Sequence, residues 1–437
     1  MEISCDAVGY ESLGRTLAEK GWANYLLNGP TREPFYPLLV SISMRIGTFF
    51  SFPYQPIQAF LQLLILFITQ LLMLRILRLL EINDWISAFT ILYLGVSPAI
   101  VNSALCLFSE IATYPFILAI ILLMRQSWIS FSGPKSRTIL FAIASGLAFV
   151  LMTLTKGIFE VIVPVFAGLF FLSTLLIRNR RFILNALMFF VIALTVFYAL
   201  ISGYKLANKI FNGNFVITNR GAVMFYGGTA RRAEPLTCER FLTSLAFVPG
   251  EGVCEAIFGK EKCFFWSSAK SDEFGYAKVG ELTAMGLRPE EVDKQIAWAA
   301  FKKILRNPVQ SFLLWFMEGL KMIFWESTQV GFVSYSAGLT KLFCWPPLKN
   351  GLRLLMAILT FVGLVYLVSF LLRVRKSIFD PKENIKILLF LIAIFIFLFT
   401  GAHALCIILI RYAFPMVPLY LIISAFVMQK RIFRRNL

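Results

Sequence analysis

Apolar runs long enough to cross a bilayer alternate along this chain with short basic connections. Nine stretches carry the pattern, at roughly 55–75, 85–103, 105–124, 138–155, 157–177, 182–202, 350–373, 386–410 and 412–429. About 20 apolar residues span the hydrocarbon layer, and a helix satisfies its own backbone there, so each stretch predicts a transmembrane helix. The pair 85–103 and 105–124 predicts a tight hairpin with Ser109-Glu110 near one end. The pair 138–155 and 157–177 meets at Thr155-Lys156-Gly157. No broken spanning helix and no internal repeat is evident. Three stretches depart from the pattern. Residues 38–51 are apolar but interrupted by Arg45 and too short to span, which predicts a helix lying at the interface. Residues 203–307 are hydrophilic, with a helical run at 289–306. Residues 308–326 are apolar yet carry Glu318, Lys321 and Glu326.

Ahead of the first span lies a polar segment. It reads Asp6-Ala7-Val8-Gly9-Tyr10, then an amphipathic run to Gly21, then Thr31-Arg32-Glu33-Pro34-Phe35-Tyr36-Pro37. Asp6 and Tyr10 are four apart and share one helical face, which Leu13 and Leu17 extend. Lys20-Gly21 predicts the stop of a helix over 7–20. Asp6 then has two readings, as the N-cap of that helix or as a catalytic carboxylate. Pro34 and Pro37 hold Glu33 and Tyr36 extended, and Pro37 suits a helix start.

Composition and charge settle the class. Hydrophobic residues make up 58% of the 437 positions, and mean hydropathy is +0.76. Both predict an all-α polytopic membrane protein of about nine transmembrane helices, with interfacial helices and a mixed external region. The net charge of +18 does not point to nucleic acid, because the basic residues flank apolar helices and suit anionic lipid headgroups. Short basic loops stay cytoplasmic. The loops at 75–78, 125–137, 178–181, 373–386 and 430–435 fall on one side only if 308–326 is interfacial or re-entrant. That parity predicts four regions: an external loop over 1–52, six spans over 53–202, an external region over 203–349, and three spans with a basic cytoplasmic tail over 350–437. No signal peptide opens the chain, so a transmembrane helix is expected to be missing ahead of it. Cys238, Cys254 and Cys263 fall in the external region, where two of them are expected to pair, without the spacing saying which.

The same outer face gathers Asp6, Arg32, Glu33, Glu110, Lys156, His403 and Arg411 from five regions of the chain. Ionisable residues at the rim of a membrane are functional candidates. Each has a structural alternative: Glu110 at a helix N-terminus, Lys156 snorkelling, His403 as a satisfied core side chain, Arg411 as a headgroup anchor. The chemistry that suits the set is glycosyl transfer from a lipid phosphate. A cation stabilises the leaving phosphate, and a carboxylate takes the acceptor's proton. No nucleotide-binding motif is present. One histidine and scattered acids make no recognisable metal-ligand set, so a divalent metal remains open.

The opening segment, with Gly21, Tyr25 and Arg32-Glu33-Pro34-Phe35-Tyr36-Pro37-Leu38-Leu39, resembles the first external loop of GT-C glycosyltransferases. These include protein O-mannosyltransferases and bacterial aminoarabinose transferases. Ser109-Glu110, Leu154-Thr155-Lys156-Gly157 and Arg411-Tyr412-Ala413-Phe414-Pro415 resemble later landmarks in the same order. The resemblance implies a polyprenyl-phosphate-linked sugar donor, an inverting mechanism and an active site on the outer side of a bacterial inner or plasma membrane. It puts Asp6 in the place of the catalytic carboxylate. The expected substrate-binding set is Tyr10, Arg32, Glu33, Tyr36, Glu110, Lys156, His403, Arg411 and Tyr412. The acceptor, whether lipid, glycan or protein, is not indicated. The competing reading is a transporter or flippase of lipid-linked saccharides, which calls for inverted repeats and broken helices.

Overall fold

A computed structural model describes residues 6–27, 29–177, 179–326, 336–374, 384–406 and 408–432. Every element among them is helical. The chain opens with α1 (Asp6–Leu27) and α2 (Phe35–Phe49). Gly21 breaks α1 at the expected place: its φ of 77° lies in the left-handed region that glycine enters without strain. α2 starts at Phe35, two residues before the expected Pro37. A proline fits in the first turn because the N–H it lacks has no intrahelical partner there.

The membrane core follows as α3 (Tyr54–Leu79), α4 (Asp84–Val96), α5 (Pro98–Leu105), α6 (Glu110–Ser130), α7 (Lys135–Thr155), α8 (Phe159–Thr174) and α9 (Arg180–Asn212). α4 and α5 correct two expectations. The stretch predicted as one span over 85–103 is a broken pair bent by 47°. Pro98 opens α5 where its ring cannot continue α4, and the Ser97 side chain caps the new start through the Ile100 N–H. The predicted span over 105–124 therefore begins five residues later, at Glu110. Arg125, assigned to the following loop, lies inside α6 and is buried. α8 has only 16 residues with Pro164 inside, shorter than the predicted 157–177. α9 runs ten residues past its predicted end, stopping at Gly213 in the left-handed region.

A polar helical region comes next: α10 (Gly221–Ala233), α11 (Cys238–Phe247), α12 (Glu251–Phe258), α13 (Lys260–Phe264), α14 (Ser268–Ala284) and α15 (Pro289–Arg306). Nothing in it is strand, so the expected mixed character is helical throughout its described residues. α15 matches the predicted run almost to the residue. It buries Val292, Ile296 and Ala300 beside Tyr226 and Ala230 of α10. Cys254 and Cys263 form a disulfide, and Cys238 is free and exposed. α16 (Pro308–Lys321) follows, with 14 residues, too short to span. Then come α17 (Ala337–Cys344), α18 (Pro346–Val374), α19 (Asn384–Leu405), a 3₁₀ segment (Ile410–Met416) and α20 (Val417–Ile432).

Among the described residues, seven helices are long and apolar enough to cross a membrane, or eight if the bent pair is one span. The chain is thus an all-α polytopic membrane protein; the predicted count of nine is not reached, because the stretch predicted to span over 157–177 forms only the 16-residue α8. Arg178, Arg375, Lys376 and residues 433–435, which contribute to the charge pattern, lie outside the described residues.

Candidate functional site

The site is built where four helix ends meet. Asp6 is the first residue of α1, and its carboxylate does not turn back as a cap. Arg32 donates from Nη2 to Asp6 Oδ1 at 2.5 Å, and Arg411 donates from its own Nη2 to Asp6 Oδ2. One carboxylate thus ties the loop before α2 to the 3₁₀ segment before α20. Arg32 also lies over the Tyr10 ring, 5.5 Å from its centroid. Tyr10 meets Tyr36 edge-on at 5.0 Å, and its hydroxyl lies 2.8 Å from Ser109 Oγ. The spacing of Asp6 and Tyr10 was legible in the sequence, and their shared face is the one turned to the site. Burial raises the Tyr10 hydroxyl well above the ordinary tyrosine range, with Glu33 and Glu110 adding to the effect. Tyr10 is therefore a neutral donor or acceptor at neutral pH.

A second group sits beside the first. Lys156, in the break between α7 and α8, donates from Nζ to Glu110 Oε1 at 2.8 Å. Only 12% and 5% of these two side chains are exposed. Glu110 opens α6, where the helix dipole favours an anion. Glu33 Oε1 accepts from the Gly157 N–H at 2.7 Å, which fastens the loop before α2 to the same break. Tyr412 joins the two groups: Lys156 Nζ lies 4.9 Å and Arg411 Cζ 5.8 Å from its ring centroid. Phe108 supports Arg411 from another side at 4.8 Å. Such cation–π contacts hold a charge without consuming its hydrogen-bond donors. Arg411 Nε is buried and makes no hydrogen bond.

His403 lies against Phe399 and Tyr412, with ring centroids 4.4 and 5.4 Å apart, and its Nε2 is also without a partner. Among the described residues no three His, Cys, Asp or Glu side chains gather as a metal site. Nine of the ten expected residues are joined by these contacts in one cluster, and His403 reaches it through the Tyr412 ring and the field of Lys156.

Two features escaped sequence reasoning. The first is a buried triad. Lys321 donates to Glu318 Oε1 at 2.8 Å, Arg231 lies 3.6 Å from the same oxygen, and Glu318 Oε2 accepts from the Ile408 N–H at 3.2 Å. It anchors the segment leading to Arg411 on α16 and α10. Glu318 and Lys321 stood out as charges in an apolar stretch, but no local spacing linked them to Arg231. The second is Asp272 on α14, near Arg220 at 3.6 Å and within the field of Arg32. Burial pushes its carboxyl up, and the two guanidiniums oppose this.

An apolar groove of about 330 Å³ runs between α8, α16 and α19, lined by Val161, Val165, Trp315, Phe397 and Leu405 among others. Neither a scan against protein-family models nor a search of the curated proteins finds a match to this chain.

Proposed function

We propose that this protein is a membrane glycosyltransferase that moves a sugar from a polyprenyl-phosphate donor to an acceptor hydroxyl or amine, with inversion, on the outer side of the membrane. The observation that carries this reading is the carboxylate of Asp6 bridging Arg32 and Arg411, with Lys156 across the Tyr412 ring. Cations for a leaving phosphate and a carboxylate for an incoming nucleophile thereby stand within one cluster.

Both Asp6 oxygens are engaged in this structure, which defines the first step. The donor phosphate, an anion like the carboxylate, takes over Arg411 and frees Asp6 Oδ2. The acceptor then approaches Asp6, and its oxygen or nitrogen attacks the anomeric carbon. The bond from that carbon to the phosphate oxygen breaks, the phosphate leaves with the electron pair, and the acceptor's proton passes to Asp6. Arg411 presents a planar fork to the phosphate and Lys156 a point charge. No covalent glycosyl-enzyme intermediate is needed for inversion. Tyr10 and Tyr36 wall the acceptor side, Glu33 and Glu110 hold the Lys156 break in place, and His403 and Tyr412 back the cations.

The outward placement of the site draws support from the basic loops and from the Cys254–Cys263 disulfide, whose chemistry belongs to an oxidising compartment. An inner or plasma membrane of bacterial type fits these features. The partners are the lipid-linked donor, an acceptor that is lipid, glycan or protein, and membrane lipids, with no nucleic acid.

One observation favours a second reading, a carrier of lipid-linked saccharides. The break between α4 and α5 is held by buried Glu326, which accepts from Tyr93 Oη, Ser97 Oγ and the Ala99 N–H at 2.5, 2.7 and 3.2 Å. Broken helices with buried ionisable groups are common in transporters. Incubating purified protein with radiolabelled polyprenyl-phosphate sugars and cell-envelope fractions separates the two. Transfer of label to an acceptor in detergent, with and without a chelator, supports the enzyme. Movement of intact donor across sealed vesicles without transfer supports the carrier.

A further inference from the structure

The outward face of α15 is apolar where a helix of a polar region should present polar side chains. Its buried face, Val292, Ile296 and Ala300, packs into the polar helical region. The opposite face carries Trp298, Phe301 and Leu305, at helical spacing. Trp298 is 55% and Leu305 59% exposed. A similar row follows on α16, where Val309, Phe312 and Phe316 are exposed at the same spacing. Isolated exposed apolar residues need no explanation, but rows of them at helical spacing on two consecutive helices do.

Charge identifies what covers it. Lys302 and Arg306 flank the ridge on α15 and pair with no carboxylate among the described residues, whereas Lys294, about two turns earlier, is taken by Glu290 at 2.9 Å. Lys302 lies 5.3 Å from the Trp298 ring centroid, so its ammonium sits at the rim of the apolar ridge. Large apolar and aromatic side chains edged by unpaired cations match the boundary between acyl chains and anionic headgroups. Placement agrees. Trp315 of α16 donates from Nε1 to the Gly401 carbonyl of α19 at 2.9 Å, which docks α16 on a helix long enough to span.

We infer that α15 and α16 form a membrane-seated elbow, with Trp298, Phe301, Leu305 and Phe312 inserted among acyl chains and Lys302 and Arg306 at anionic headgroups. The polar helical region is then anchored to the lipid surface independently of any catalytic role.

The test uses full-length protein in vesicles of phosphatidylcholine with or without phosphatidylglycerol. Cys5, Cys106, Cys238, Cys344 and Cys406 are replaced by serine, and a nitroxide is attached in turn to Phe301→Cys, Leu305→Cys and Glu273→Cys. Glu273, exposed on α14, serves as the aqueous control. Labels at 301 and 305 should meet oxygen severalfold more often, relative to a water-soluble nickel complex, than the label at 273. Adding Lys302→Glu and Arg306→Glu should lower that preference in the anionic vesicles and leave it nearly unchanged in the zwitterionic ones. Equal nickel access at 273, 301 and 305 would overturn the proposal. So would spin–spin broadening at 301 or 305, which would place a second copy of the chain on the ridge.

Discussion

Lys156 and Glu110 form an ion pair at 2.8 Å inside the apolar bundle. Removing one partner from such a pair leaves a charge with no compensation and typically costs about 3–5 kcal/mol. Lys156→Met and Glu110→Gln should each lower the melting temperature in detergent. The double variant should recover most of the loss, because it removes both charges. Additive losses in the double variant would mean that the two side chains are not coupled.

Asp6→Asn discriminates the catalytic from the structural reading. A helix cap is served almost equally by Asn, and in this structure Asp6 caps nothing: it binds Arg32 and Arg411. Loss of a general base lowers transfer by roughly a hundredfold or more. The amide also releases Arg411, so donor binding should hold or tighten. Transfer near the parent rate, measured with labelled donor, would remove Asp6 as the base and turn attention to Glu33 and Glu110.

Arg411→Lys should also be impaired in transfer. An ammonium cannot reproduce the planar fork or its stacking on Phe108 and Tyr412. Losing one donor to developing negative charge costs on the order of a hundredfold or more in rate. Parent turnover in both Arg411→Lys and Lys156→Ala would exclude these side chains as the phosphate site.

Gly228 of α10 approaches the backbone at Cys406 so closely that an added Cβ would lie 2.5 Å from its carbonyl. Gly228→Ala should therefore push the polar helical region away from the segment leading to Arg411, at a cost of about 1–3 kcal/mol. Gly280, whose surroundings are open, should accept alanine without loss. Thermal unfolding of the two variants compares them directly.

Asp272 gives stability a pH dependence. Its carboxyl is raised above the ordinary 3.8 chiefly by burial. A group with a raised folded-state pKa holds its proton more tightly in the folded protein, so its contribution favours folding in acid. That contribution declines as pH rises from 3.8 through the folded-state value. Asp272→Asn should flatten this part of the stability profile. An unchanged profile would show that another group sets it.

The membrane character and the order of helices were legible because hydropathy alone decides them. α15 was legible from its periodicity. The break at Ser97-Pro98 had a local signal in Pro98, but the buried carboxylate that holds it, Glu326, lies more than two hundred residues away. Asp6 and Arg411 were each recognisable as candidates, but their bridge depends on packing that no local pattern carries. Cysteine spacing left the disulfide open, and the short turn at Gly259 between α12 and α13 brings Cys254 and Cys263 together.

Asp6 and Arg411 are separated by 405 positions in the chain. During synthesis Asp6 emerges first and waits for a partner made near the end of translation. Arg411 arrives only with the segment that leads into α20. Until that segment inserts, the nascent protein has a membrane bundle but lacks the Asp6–Arg411 bridge. A version ending at Leu405 should still insert α3 to α9, yet leave Asp6 without its Arg411 partner.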